Sequence, residues 1–254
     1  MSDGRYIPKP TGHRQSVRQP GKNRLGILKA GSPPSALRAY GTYPDMFRKL
    51  LGEDRHDYIE FDVEHGEFPA DVGQCPVYLV TGSASDAFGG SAWIAELKQF
   101  LNAAKGKAAL VGLCFGHQVM AEAFGGTVAR SPSGWGMGNH SYDVVQHRSW
   151  SDHVATITLP AFHRDQVVEL PPAAEVVACN AFSPFGFIAY NDQPAISLQL
   201  HPEFDSDFAA ALIENRRGRG ASDAEIAVAK SSLQQPADRA LVGGWINQFI
   251  MASA

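Results

Sequence analysis

Short apolar runs alternate along this chain with stretches whose apolar residues recur every three to four positions. Order begins at Arg24–Leu28, a strand-like run followed by a Gly-Ser-Pro-Pro loop. Tyr58–Val63 alternates with the period of a strand, and Val77–Val80 is a continuous apolar run that stops at Thr81-Gly82-Ser83. Between Ser91 and Ala104, the residues Trp93, Ile94, Leu97, Phe100, Leu101 and Ala104 keep helical spacing. Ala108–Leu113 is another buried strand, and His117–Phe124 another helix. This alternation predicts an α/β fold with a mostly parallel central sheet and helices on both faces. From 127 to 200 the pattern changes to short β-like runs (Tyr142–Gln146, Val154–Thr158, Glu175–Cys179, Phe185–Tyr190, Ala195–Leu200) split by Gly, Pro, Asn and Asp. These predict antiparallel strands that extend one edge of the sheet. Helices are expected after Asp205, after Ser222 and over 238–251. No internal repeat is visible, so residues 24–254 read as one domain behind a polar, mobile tail over 1–23.

Composition narrows the class. With 254 residues and 44% hydrophobic content, the chain can bury a sizeable core. A net charge of -4 gives no field that would draw it to nucleic acid or anionic lipid. The three cysteines (Cys75, Cys114, Cys179) are too few for a disulfide framework, and none sits in a Cys-x-x-Cys pair. The first 23 residues have no apolar segment of a secretory signal, and no run approaches the roughly 20 apolar residues of a membrane span. The expectation is a soluble protein of the reducing cytoplasm.

The most informative segment is Leu110-Val111-Gly112-Leu113-Cys114-Phe115-Gly116-His117-Gln118. A strand runs into Cys114 and a helix starts directly after it, with glycines two positions to either side. That is the pattern of a nucleophile elbow, a turn too tight for side chains at the flanking positions. It would present the sulfur at the carboxyl end of the sheet, beside a helix N-terminus that favours the thiolate. A buried structural cysteine in a glycine-rich turn is the competing reading of this segment alone. Downstream, Ala195–Leu200 ends in His201-Pro202-Glu203. Residues two apart on extended backbone share a side, so Glu203 can hold one ring nitrogen of His201 and leave the other to take a thiol proton.

Gly-x-Cys-x-Gly-His-Gln followed by His-Pro-Glu resembles the class I, triad-type glutamine amidotransferase family, over roughly residues 24–204. The resemblance implies a flavodoxin-like architecture with a Cys114, His201, Glu203 triad. It implies an oxyanion hole from the N–H groups of Gly82 and Phe115, since Thr81-Gly82-Ser83 sits where the family has Gly-Gly-Pro. It also implies substrate contacts from Gln118, and from His163 and Arg164 in a run, Phe162–Val167, that looks like the family's Ser-His-x-Asp-x-Val loop. Thr81, Phe162 and Arg164 depart from the family pattern. Arg164 could serve a larger or more acidic γ-glutamyl substrate; a solvated loop arginine is the competing reading. His65 lacks an i, i+4 partner for a metal, His117 reads as packed, and Asp86, Ser83 and Asp165 as loop-shaping groups. No Gly-x-x-x-x-Gly-Lys-Ser/Thr cradle for ATP phosphates is present, and the chemistry implied requires neither metal nor organic cofactor.

Three functions follow. The first is a glutaminase that cuts the glutamine side-chain amide through a Cys114 thioester and hands ammonia to a synthetase partner. Such an enzyme is expected to be slow alone, with a Thr81–Ser85 loop that flips easily at Gly82. The second is a stand-alone γ-glutamyl hydrolase or peptidase. The third is a non-catalytic binding module on the same fold.

Overall fold

The computed structural model describes residues 22–253. The tail read from the sequence therefore lies outside the described residues up to position 21, and the first strand already takes in Asn23. Eleven strands and six α-helices are described: β1 (Asn23–Leu28), α1 (Tyr43–Leu51), β2 (His56–Phe61), β3 (Val77–Val80), α2 (Ala92–Ala104), β4 (Ala109–Leu113), α3 (Phe115–Ala123), β5 (Thr127–Arg130), β6 (Gly136–Val144), β7 (Thr156–His163), β8 (Asp165–Glu169), β9 (Ala174–Cys179), β10 (Phe187–Tyr190), β11 (Ala195–Leu198), α4 (Ser206–Glu214), α5 (Asp223–Ser232) and α6 (Arg239–Ser253). None of these helices is long and apolar enough to cross a membrane.

The main sheet has the order β2-β1-β3-β4-β11-β10-β9-β6-β7. β2, β1, β3, β4 and β11 run parallel, and β10, β9, β6 and β7 continue the sheet antiparallel. One expectation is corrected here. Ala195–Leu198 is not part of the antiparallel extension alone: it is the last parallel strand, paired to β4 with Leu198 opposite Leu113. An unbroken apolar run reveals burial but not strand direction.

Alternation along the central strands serves two cores. Val77, Leu79, Ala109 and Val111 face α1 and α6, where they meet Phe47, Leu51, Trp245 and Ile246. Tyr78, Val80 and Leu110 point the other way, onto Leu97, Phe100 and Leu101 of α2 and Phe115 and Val119 of α3. A strand buried on both faces must be apolar at every position, which is why β3 and β4 read as continuous runs. α1 was absent from the expected helices. Its cap was legible: Asp45 N–H donates to the Thr42 hydroxyl at 3.2 Å, and Thr42 N–H to the Asp45 carboxylate at 2.9 Å, a capping box. The run Phe162–Val167, expected as a loop, is the end of β7, a break at Arg164, and β8, which pairs with β5 in a separate small sheet.

Candidate active site

β3, β4 and β11 lie side by side and parallel, so Gly82, Cys114 and His201 all follow the carboxyl ends of adjacent strands. Cys114 sits between β4 and α3 with φ 52° and ψ -102°, the only positive-φ residue other than glycine among those described. A cysteine in that conformation is strained and is held by its surroundings. Its N–H donates to Leu198 O at 2.7 Å, and Gln118 N–H returns to Cys114 O at 3.0 Å. The flanking glycines are obligatory. A Cβ on Gly112 would come within 2.6 Å of the Gly116 backbone, and one on Gly116 within 2.3 Å of Val80 O. Phe115 opens α3, so its N–H has no intrahelical acceptor.

His201 and Glu203 are both 3% exposed, with His201 Nδ1 2.7 Å from Glu203 Oε1. The imidazole stacks on Phe204 at 4.0 Å and 7°. Nε2 is buried without a fixed hydrogen-bond partner, and the charge of the nearby Cys114 sulfur acts on the ring. Burial depresses the His201 pKa, but the Glu203 carboxylate and then the Cys114 sulfur outweigh it and raise the value from 6.5 to about 10. Gly82 closes the group: a Cβ there would stand 3.4 Å from His201 Cε1 and 3.9 Å from Cys114 Cβ. The set can hold a nucleophilic sulfur, a base with its tautomer fixed, and backbone donors for an oxyanion.

The sequence profile of the family described as Glutamine amidotransferase class-I matches residues 85–216. The chain is 30% identical over 205 residues to Gamma-glutamyl peptidase 5 of Arabidopsis thaliana, covering 76% of this chain and 80% of that one. It is 25% identical over 187 residues to a glutamine-hydrolyzing GMP synthase subunit of Methanopyrus kandleri, covering 69% of this chain and 92% of that one. Its fold matches a glutamine amidotransferase of Thermotoga maritima with a TM-score of 0.71 at 16% identity, over 91% of this chain and 97% of that one. The chain belongs to the class-I glutamine amidotransferase family.

Beyond the motifs by which this family member resembles its relatives, the structure adds groups that the sequence reading missed. Gln199 Nε2 lies 3.7 Å from the Cys114 sulfur, and its Oε1 accepts from Gln118 Nε2 at 3.2 Å. A polar residue between the apolar β11 and Leu200, two before His201, was the available signal. The phenol of Tyr43 is held well above its usual pKa, by burial first and then by the charges of Cys114 and Glu203. Thr81 is fully buried; its hydroxyl accepts from Ala30 N–H at 3.0 Å and donates to Gly82 O at 3.0 Å. That second bond fixes the Gly82 carbonyl, and with it the Gly82–Ser83 peptide, to the Thr81 side chain. One carbonyl of the loop expected to flip at Gly82 is thus held by the loop's own hydroxyl.

A cavity of about 410 Å³ opens over the sulfur, within the usual range of small-molecule sites. Gln118 lines it, with its amide donating to Asp165 O at 2.6 Å. His163 also reaches the wall, but it is buried, its nitrogens lie 3.2 Å from Asp165 O and 3.4 Å from the Ser183 hydroxyl, and burial pushes its pKa down to about 3. It supplies shape and no free donor. Arg164 lines the cavity from an exposed position. Trp135, Arg216 and Leu212 complete the wall, and nothing local in the sequence marks them. Away from the cavity, Asp62, Glu64 and His65 bring donor atoms within 4.8 Å of one another, but Asp62 is already engaged by Lys29 at 2.7 Å.

Proposed function

We propose that this chain is a γ-glutamyl amide hydrolase that works without a synthetase partner. Cys114 is the nucleophile, His201 the general base and acid, and Glu203 the residue that orients His201. His201 takes the thiol proton, and the sulfur attacks the γ-carbonyl of the glutamyl group. The N–H groups of Gly82 and Phe115 receive the oxyanion. His201 then protonates the leaving nitrogen, the amine departs, and a γ-glutamyl thioester remains on Cys114. Water, deprotonated by His201, attacks the thioester; glutamate leaves and the thiol is restored.

The observation that carries the stand-alone reading is the seat of Gly82 against Cys114 and His201 in this chain by itself. A glutaminase that waits for its synthetase needs an oxyanion loop that is not yet formed, whereas here Gly82 already lies beside Cys114 and His201, with its carbonyl bonded to the Thr81 hydroxyl. The likeness to a γ-glutamyl peptidase over 76% of the chain points the same way. The second reading, glutamine hydrolysis that feeds ammonia to a synthetase, draws on the likeness to a GMP synthase subunit.

The two readings separate in one assay. Purified protein is given glutamine and a set of γ-glutamyl peptides, with and without cell extract depleted of this protein, and glutamate release is measured. The proposal expects full turnover of a γ-glutamyl peptide by the chain alone, unchanged by extract. Turnover confined to glutamine and raised by extract would instead establish the partner-dependent enzyme.

A further inference from the structure

The cavity wall carries a feature that amide cleavage itself does not use. Three guanidiniums reach it, from Arg130, Arg164 and Arg216. Arg130 is engaged: Nε lies 3.0 Å from Asp165 and Nη2 3.1 Å from Asp86, so both lining carboxylates are spent on it. Arg164 and Arg216 have no carboxylate partner among the described residues. Arg216, just beyond α4, stacks its guanidinium 4.1 Å from the centroid of the Trp135 ring. Its Nη2 donates to Arg219 O at 2.5 Å, and its Nε is buried with no hydrogen-bond partner. Burial first, then the charges of Arg164 and Arg219, hold its pKa below the ordinary arginine value. Like charges facing one partly desolvated wall are unfavourable until an anion arrives.

The position of this wall ties it to the chemistry. The Trp135 ring packs against Phe162 at 5.4 Å between centroids, and the Phe162 carbonyl lies 4.0 Å from the Cys114 sulfur. A substrate held at the sulfur therefore shares one cavity with the arginines. Stacking on Trp135 fixes the plane of one guanidinium fork, the geometry that suits a carboxylate. The charge on the ligand then selects its class. Glutamine brings one ammonium and one carboxylate and no net charge. A γ-glutamyl peptide with a free C-terminus brings a second carboxylate, on the leaving side.

We infer that Arg164 and Arg216, with Trp135 as platform, form a binding site for the carboxylate of the leaving group, so that the enzyme selects γ-glutamyl peptides with a free C-terminus. This inference rests on the γ-glutamyl hydrolase reading above. Glutamine is a poor substrate on this account because its leaving group is ammonia, which leaves both arginines unanswered.

The test compares γ-glutamylglycine, γ-glutamylglycinamide and glutamine on the wild type and on Arg164→Gln, Arg216→Gln and Arg216→Lys. Binding of the two glycine compounds to Cys114→Ala is measured in parallel, where no chemistry is needed. The wild type should prefer the acid over the amide by roughly tenfold to a hundredfold in kcat/KM, the weight of a charge-assisted hydrogen bond. Each Gln variant should bring the acid-to-amide ratio toward one, and Arg216→Lys, which keeps the cation and packs on Trp135, should retain part of it. Cys114→Ala should bind the acid more tightly than the amide by a comparable factor. Equal kcat/KM for acid and amide in the wild type overturns the inference while leaving the hydrolase reading intact. So do Gln variants that lower both substrates equally, because the arginines would then be holding the α-carboxylate of the glutamyl group. If no γ-glutamyl compound is hydrolysed, the hydrolase reading fails, and equal binding of acid and amide to Cys114→Ala would then overturn the arginine site on its own.

Discussion

His201 sits where burial and charge oppose one another, and charge wins. Burial alone would keep it neutral, but the Glu203 carboxylate at 2.7 Å and the Cys114 sulfur raise its pKa to about 10. Once His201 has taken the thiol proton, it therefore holds that proton far above the 6.5 of an ordinary histidine, which on the hydrolase reading keeps it for the leaving amine. The alkaline limb of kcat/KM in the free enzyme follows loss of this proton, so it should lie well above 6.5. Glu203→Gln removes the largest of the raising charges and should move that limb downward while lowering turnover. A pH profile of wild type and variant checks this, and an unmoved limb would make Glu203 a structural residue. At this scale the sequence was informative where a role depends on near neighbours. Cys114, His201 and Glu203 were readable because each sits in a motif a few residues long. Gln199 and the Thr81 hydroxyl escaped because their partners, Cys114, Gln118 and Ala30, lie far away along the chain.

The β4–α3 elbow is the element that makes the site, and it stores strain at one residue. Cys114 occupies φ 52°, ψ -102°, a conformation that costs a residue with a Cβ about 1–3 kcal/mol. This gives a prediction that runs against the usual ranking. Cys114→Ala and Cys114→Gly both lose the sulfur, yet the glycine variant should be the more stable by about 1 kcal/mol, since only glycine relaxes there. Urea unfolding of the two with equal m-values measures the difference; an alanine variant as stable as the glycine one would mean that the elbow is unstrained. β4, α2 and the helix following Cys114 were legible from apolar period and glycine placement. The direction of β11 was not, because parallel and antiparallel buried strands share one pattern. The β5–β8 pair was missed for another reason: each strand is only four or five residues long and their pairing spans 35 residues or more of sequence.

Across the whole molecule, the parallel sheet brings distant motifs to one place. Pairing of Val80 with Gly112 and of Leu113 with Leu198 sets the ends of β3, β4 and β11 level, so Gly82, Cys114 and His201 converge. Alternating strands and helices forecast this arrangement, and both motifs sit where an open α/β sheet gathers its functional groups. Arg164 was named from its own run, but the wall it forms with Trp135 and Arg216 was not, since the three come from the β7–β8 break, the residue before β6 and the residues beyond α4. On the hydrolase reading this chain, alone, forms a γ-glutamyl thioester on Cys114. The most direct measurement is the intact mass of the purified protein, acid-quenched during turnover of a γ-glutamyl peptide, followed by peptide mapping. The account predicts one added glutamyl group, on the peptide that contains Cys114, released by hydroxylamine and absent from Cys114→Ala. Cys75 should stay unmodified, because burial pushes its pKa up to about 12. Sustained turnover with no adduct in the quenched protein, or an adduct on any other residue, would contradict it.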